Sequence, residues 1–289
     1  MFTHTPVLLD EVLRFLAPKP GGCFIDATLG AAGHTRAILE RTAPDGKVLA
    51  IDQDEPALAK ARETLASFGS RVVFSHSNFR ELASIAAEYK FHEADGVFAD
   101  IGISSMMVDD PTRGFSFMRE GPLDMRMDQT QELTAADVVN TYGEKEIADI
   151  LYKYGEERRS RAIARSIMRA RPLRLTTDLA RVVERVMGSP RYGQIHPATR
   201  TFQALRIFVN DELQSLESFL DASMTVVRSG GRLVVITFHS LEDRIVKQKF
   251  RSPCVAGRVL TKKVVVAARE EVSRNPRARS AKLRAWEKN

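Results

Sequence analysis

One run of residues, Cys23-Phe-Ile-Asp-Ala-Thr-Leu-Gly-Ala-Ala-Gly-His-Thr35, narrows what this chain can fold into more than any other. Cys23 to Asp26 is a short apolar run closed by a carboxylate, the pattern of a buried parallel strand. Thr28, Gly30 and Gly33 then spell a tight turn, and Thr35 to Arg41 continues with helix formers. Strand, glycine turn and helix make the first half of a nucleotide-binding βαβ unit, in which glycine lets the backbone approach a ligand and the helix start presents N–H donors. Lys47 to Ile51 supplies a second apolar run that stops at Asp52, at the distance where such units place a ribose-binding carboxylate. A plain βα turn with an acidic helix cap is the competing reading of either half alone.

The rest of the order fits an open, mostly parallel α/β sheet. Leu8 to Leu16 has helical spacing, and Pro56 opens a helix carrying Leu58, Ala61 and Leu65. Arg71 to Ser75 and Asp95 to Asp100 read as the third and fourth strands. The rhythm breaks in the aperiodic stretch Gly102 to Asp128. Helical patterns follow over Ala135–Tyr142, Glu144–Tyr154, Glu156–Ala170 and Thr177–Met187, the last capped by Thr176 or Thr177. A long helix is expected from Pro197 through Leu216, ended by Gly230-Gly231, before the sheet resumes at Arg232 to Phe238. Val259–Val266 and Ser280–Trp286 are the expected final strands. Residues 108–205 are therefore expected to form an inserted helical domain within a sheet domain made of 1–107 and 206–289.

Composition excludes several classes. The 289 residues are 44% hydrophobic and 28% charged, as in an ordinary globular protein, and no apolar run approaches membrane-spanning length. Asp10 and Glu11 lie inside the first apolar segment with no basic lead, unlike a signal peptide. Two cysteines, Cys23 and Cys254, with Cys23 in a core strand, suggest a reducing cytoplasm rather than a disulfide framework. The net charge of +6 is unevenly spread: residues 158–206 carry 12 Arg and no Lys against Asp178 and Glu184, and residues 241–289 carry 14 basic against 5 acidic residues. Two basic stretches on an acidic remainder point to a polyanion such as nucleic acid. One such stretch alone would be an ordinary solvated face.

In an open α/β sheet the ligand lies beyond the carboxyl ends of the strands. Asp26, Asp52, Asn78-Phe79, Asp100 and His239 all fall at or just past such ends. Phe79 could stack on an adenine with Asn78 at its edge; equally, Phe79 could be core and Asn78 a helix cap. The turn lacks a full G-x-G-x-x-G, and no P-loop lysine follows Gly33, so a nucleoside without phosphates fits better than NAD or ATP. S-adenosylmethionine is such a ligand, with its sulfonium end beside Asp26 and the glycine turn and its ribose on Asp52. His4, His34, His196 and His239 show no metal-ligand spacing, and no metal is expected.

Several stretches closely resemble one family: Thr5-Pro-Val-Leu-Leu-Asp-Glu11, Gly30-Ala-Ala-Gly-His34, Asp100-Ile-Gly-Ile-Ser-Ser105, Arg113-Gly-Phe-Ser-Phe-Met-Arg119 and Gly121-Pro-Leu-Asp-Met-Arg-Met127, then His196-Pro-Ala-Thr-Arg-Thr-Phe-Gln203, Phe238-His-Ser-Leu-Glu-Asp-Arg244 and Asn275-Pro-Arg-Ala-Arg-Ser280. The family is the bacterial small-subunit ribosomal RNA methyltransferase H, which methylates N4 of a decoding-centre cytidine. The resemblance runs nearly end to end. It implies a class I methyltransferase-like fold, S-adenosylmethionine as donor, and cofactor contacts at Ala32, Gly33, His34, Asp52, Phe79 and Asp100. The implied partner is small-subunit ribosomal RNA or the 30S particle, with no membrane; oligomeric state stays open, a homodimer included. Relatives often carry Gln where this chain has Met107, so that contact is not carried over.

A cytosine amine is a poor nucleophile because its lone pair is delocalised into the ring. The enzyme must extrude the base, aim the amine at the methyl group and accept its N–H bonds. Asp100 is the best-placed acceptor, and His239 is a second candidate for touching the substrate. Methylation at a ring carbon would need a thiolate; Pro253-Cys254 lies in the tail and is rejected for that role. Two rivals remain open on sequence. A DNA amino-methyltransferase would carry an Asn- or Asp-Pro-Pro-aromatic motif where this chain has Asp100-Ile-Gly-Ile. A non-catalytic RNA-binding assembly factor would have no use for Asp52.

Overall fold

The computed structural model describes residues 6–189, 193–253 and 256–289. The chain divides into two compact units, one comprising residues up to Gly102 together with Leu213–Asn289, the other Ile103–Glu212.

The first unit is the sheet unit. It runs α1 (Leu9–Leu16), β1 (Cys23–Asp26), α2 (Gly33–Arg41), β2 (Lys47–Asp52), α3 (Glu55–Thr64), β3 (Val72–His76), α4 (Leu82–Glu88) and β4 (Ala94–Asp100). The second unit holds α5 (Ser105–Asp109), α6 (Ala135–Thr141), α7 (Glu144–Gly155), α8 (Ser160–Ala170), α9 (Thr176–Met187) and α10 (Thr199–Val209). The sheet unit then resumes with α11 (Glu212–Val226), β5 (Val227–Thr237), α12 (Ser240–Phe250), β6 (Gly257–Val259), β7 (Val265–Val266), α13 (Arg269–Arg274) and β8 (Lys282–Lys288). Strand order is β3-β2-β1-β4-β5-β8-β6, with β7 also on β8. The first five strands pair parallel, and β8 is antiparallel to β5, β6 and β7. Strand order reverses between β1 and β4, which makes that junction the switch point of the sheet.

Alternation along the strands fills both faces. Phe24, Val48, Phe98, Val234 and Leu283 join Leu8, Val12, Leu16 and Ile38 on one side. Ile25, Leu49, Val97, Val235 and Trp286 join Leu82, Phe219 and Phe250 on the other. Each such side chain removed from water contributes about 1.5–3 kcal/mol. The inserted unit has its own core, built on Ile147, Leu151, Ile163, Ile167, Leu179, Val183 and Leu205.

Several expected elements are corrected. The long helix from Pro197 breaks after Val209: Asn210 turns inward, Asp211 takes φ 48°, and α11 starts afresh at Glu212. The buried Asn210 amide donates to the carbonyls of Met125 and Arg206 (both 2.8 Å) and accepts from Met127 N–H at 2.7 Å, bonds that a continuing helix would forfeit. The glycine pair does not end the helix either, since β5 has begun at Val227. The register Ala94↔Val227 jumps to Gly96↔Arg232, and a Cβ on Gly231 would stand 3.0 Å from the Ala94 carbonyl, so the pair forms the bulge. The helix expected from Glu156 starts at Ser160, because Glu156 takes φ 49° as the C-cap of α7. Neither Thr176 nor Thr177 caps α9: Leu175 is the extended residue before it, and Thr176 is buried, its hydroxyl donating to the Arg119 carbonyl at 3.1 Å. Val259–Val266 is two short strands, β6 and β7, rather than one.

Trp286, the only tryptophan, is 1% exposed against Phe250, and a Cβ on Gly257 would come within 2.1 Å of its ring. Trp286→Ala should cost about 3–5 kcal/mol of stability and Trp286→Phe far less. Urea unfolding followed by circular dichroism checks both; an alanine variant as stable as the parent would remove Trp286 from the core.

Candidate active site

The carboxyl ends of the adjacent strands β2, β1 and β4 bring Asp52, Asp26 and Asp100 together. Each is held by backbone or hydroxyl groups of the turn that follows β1. Asp26 is 1% exposed; its Oδ2 accepts from the Thr35 hydroxyl at 2.5 Å and its Oδ1 from Thr28 N–H at 3.2 Å. Asp52 accepts from Gly30 N–H at 2.8 Å and from Asp54 N–H at 2.9 Å. The Thr28 hydroxyl accepts the Asp100 N–H at 2.6 Å. Gly30 takes φ +49°, and a Cβ there would meet only the Thr28 carbonyl at 4.0 Å, so the turn has open space at this point.

Among the described residues no lysine or arginine forms an ion pair with these three carboxyl groups. Burial first, partly offset by their hydrogen bonds, pushes Asp26 and Asp52 each up to about 6. Asp100 is partly exposed, but its Oδ1 is sealed from solvent without a hydrogen-bond partner. Burial, then the charges of Asp26 and Glu242, push it up to about 8.

The other expected residues take more structural positions. Ala32 has φ 65° with its methyl buried, and a Cβ on Gly33 would lie 2.4 Å from Pro6 Cγ, so this glycine makes room for a proline of its own chain. The His34 ring is buried, with Nε2 2.9 Å from the Val7 carbonyl and its face 4.5 Å from Phe98. What these three offer a ligand is backbone at the first turn of α2. Asn78 caps the 3₁₀ turn after β3, accepting from Arg80 N–H at 3.0 Å, and its amide donates to Gln53 Oε1 at 2.8 Å. Phe79 packs edge-on against Phe219 at 5.2 Å with part of the ring exposed. Met107 is buried in the core of the inserted unit. Cys254 lies outside the described residues.

His239 caps α12, its Nδ1 accepting from Glu242 N–H at 3.4 Å. Glu242 reaches back to accept from Phe238 N–H at 2.8 Å and His239 N–H at 3.2 Å. His239 Nε2 and Glu242 Oε1 lie 2.9 Å apart without the alignment of a hydrogen bond. Sequence reasoning missed the carboxylate holders Thr28 and Thr35 and the buried Glu242. The signal for Glu242 was present: a capping residue followed three positions later by Glu.

The family model described as the MraW methylase family matches residues 1–289. A protein of Nostoc sp. (strain PCC 7120 / SAG 25.82 / UTEX 2576) named ribosomal RNA small subunit methyltransferase H is 52% identical over 290 residues, covering 100% of this chain and 93% of its own. One of the same name from Thermomicrobium roseum is 51% identical over 306 residues, covering 99% of this chain and 94% of its own. A solved SAM-dependent O-methyltransferase from Thermotoga maritima is similar at a TM-score of 0.46 and 11% identity, over 100% of this chain and 67% of that one. The sheet is the class I methyltransferase-like arrangement that the sequence implied.

A carboxyl group whose folded pKa is raised leaves the folded state holding protons that the unfolded chain has released, so stability falls as pH rises through that window. For Asp100 the window runs from 3.8 to about 8. Asp100→Asn should therefore stabilise the ligand-free protein by about 1–3 kcal/mol more at pH 8 than at pH 5. Equal effects in urea unfolding at both pH values would show that Asp100 is not a protonated buried group.

Proposed function

The chain belongs to the MraW methylase family, and on that footing we propose that it transfers a methyl group from S-adenosylmethionine to the N4 amine of a cytidine in the decoding region of small-subunit ribosomal RNA. The observation that carries this reading is the meeting of Asp26, Asp52 and Asp100 beside the glycine turn, with no lysine or arginine paired to them among the described residues. Such a site favours a ligand that is cationic and carries a sugar.

Asp52 binds the ribose, since each of its oxygens retains a lone pair beyond the bond it accepts from Gly30 or Asp54. The backbone around Ala32, Gly33 and His34 forms the wall beside the amino acid end, and Asn78 with the exposed part of Phe79 borders the adenine. Asp26 holds the turn in shape through Thr28 and Thr35 and adds negative charge near the sulfonium. Asp100 accepts an N–H of the target amine and orients its lone pair. Among the described residues ring-carbon attack lacks a thiolate: Cys23 starts β1, at the opposite end from Asp26, and burial and Asp95 raise its thiol.

The inserted unit reads the RNA. Arg161, Arg165 and Arg169 are exposed four residues apart along one ridge of α8, and only Arg165 has an ion-pair partner among the described residues, Glu144 at 3.5 Å. The substrate is ribosomal RNA or the 30S particle and the setting is the cytoplasm. Among the described residues no helix is long and apolar enough to cross a membrane.

Incubated with the donor and 30S particles lacking the modification, the protein should yield N4-methylcytidine on nucleoside mass analysis. A label on a ring carbon would sink the amine mechanism. Asp100→Asn should slow turnover at saturating donor by about a hundredfold, the scale for a positioned polar group, while Cys254→Ser leaves it unchanged. Replacing Arg161, Arg165 and Arg169 by Ala should flatten the dependence of RNA affinity on salt by roughly one unit of slope per lost phosphate contact. An unchanged slope would make that ridge a solvated face only.

A further inference from the structure

Glu242 has no task in that scheme. It lies in the first turn of α12, fully buried, yet capping the Phe238 and His239 N–H groups needs only an acceptor oxygen, which a neutral amide would supply. Burying a carboxylate costs more than burying an amide. Its Oε1 is enclosed beside His239 Nε2 without a hydrogen bond, and its Oε2 sits on the Phe238 N–H, two residues beyond Ile236, the partner of Asp100 in the β4–β5 register; Asp100 Oδ1 is enclosed and unpartnered as well. The groups facing Asp100 are Asp26 from β1 and Glu242 from α12, and the Thr28 hydroxyl meets its backbone. His239, the capping residue beside Glu242, directs its ring to Glu242. Among the described residues no lysine or arginine is paired to Asp26, Asp100 or Glu242, and His239, cationic only when protonated, is the one basic group beside Glu242, at 2.9 Å.

We infer that Glu242 is a positioning residue that keeps a proton on Asp100 before the donor binds, so that the site gives up this proton for the sulfonium charge and regains one from the amine during transfer. The inference rests on the methyl-transfer reading above. In the transfer the carbon–sulfur bond breaks with its electron pair remaining on sulfur, a carbon–nitrogen bond forms, and an amine proton passes to the Asp100 carboxylate. Net charge in the site is then the same before and after, because a neutral carboxyl beside a thioether replaces a carboxylate beside a sulfonium. Cation and proton alternate at one carboxyl group, and neither step leaves a charge in that place uncompensated.

Burial with the two neighbouring charges raises Asp100 to about 8, so at pH 7 about nine-tenths of the molecules carry the proton. Calorimetric titration at pH 7 in phosphate, HEPES and Tris, whose ionisation enthalpies differ, counts the protons released on binding. S-adenosylmethionine should release about 0.9 proton more than S-adenosylhomocysteine, which lacks the sulfonium charge. The difference should vanish in Asp100→Asn, which leaves the α-amino groups of both ligands unaffected, and fall in Glu242→Gln, which keeps the capping oxygen. As a second readout, the affinity ratio of the two ligands should rise up to tenfold per pH unit between 6 and 7 and level off above 8. Equal proton counts for the two ligands, a difference that survives in Asp100→Asn, or an unaltered count in Glu242→Gln would overturn the inference. A protein that binds neither ligand would overturn the methyl-transfer reading along with it, whereas binding of both with equal counts would overturn this inference alone.

Discussion

Ionised, Asp26 disfavours charge on Asp100 and is itself disfavoured by Asp52, and the fold holds these three carboxyl groups on neighbouring parallel strands with no lysine or arginine paired to them among the described residues. It does so with groups that carry only partial charge. Thr35 and the Thr28 N–H hold Asp26, while the N–H groups of Gly30 and Asp54 hold Asp52. The dependence runs both ways, because the positive φ of Gly30 aims its N–H at Asp52 and the Thr28 hydroxyl takes the Asp100 N–H. The turn after β1 is thus shaped by the carboxylates it supports. Local stability is given up for a region of negative potential at the switch point, where an incoming cation relieves a repulsion already present.

The aperiodic stretch between Gly102 and Asp128 solves a different problem. It has little regular hydrogen bonding, so side chains satisfy its backbone instead. Arg113, 5% exposed, donates to the carbonyls of Arg126 (3.1 Å) and Met127 (2.8 Å), and Asn210 grips Met125 and Met127. Asp124 pairs with Arg126 at 2.8 Å, and a Cβ on Gly121 would fall 1.8 Å from the Pro111 carbonyl. Most of the distinctive residues in Arg113–Arg119 and Gly121–Met127 are therefore architectural. A motif can be specific to a family because a loop without periodicity has few sequences that close it.

This explains what could be read in advance. The strands and their terminal carboxylates Asp26, Asp52 and Asp100 were legible because alternation and a closing Asp are local patterns. So were α7 and α9, whose apolar spacing fits one buried face. The break at Asn210 was not, since apolar spacing continues through it and its cause lies some 85 residues earlier, at Met125. The bulge at Gly230-Gly231 needed the register against Ala94, which no local pattern contains. Glu242 carried a readable capping signature, but its proximity to Asp100 depends on β4 and β5 being neighbours. The intramolecular partners of His34 and Asn78, the Val7 carbonyl and Gln53, were not legible because they are likewise distant in sequence.

Gly33 and Pro6 share a single volume: the space a side chain at 33 would need is filled by the proline ring, with the neighbouring Val7 carbonyl against His34. Positions 6 and 33 are therefore not free to drift separately. A larger residue at 33 is admissible only where the residue at 6 has shrunk or withdrawn, so the two should change in concert as such sequences diverge. The short segment ahead of α1 is then inherited together with the glycine turn, as one heritable unit split by 26 intervening residues.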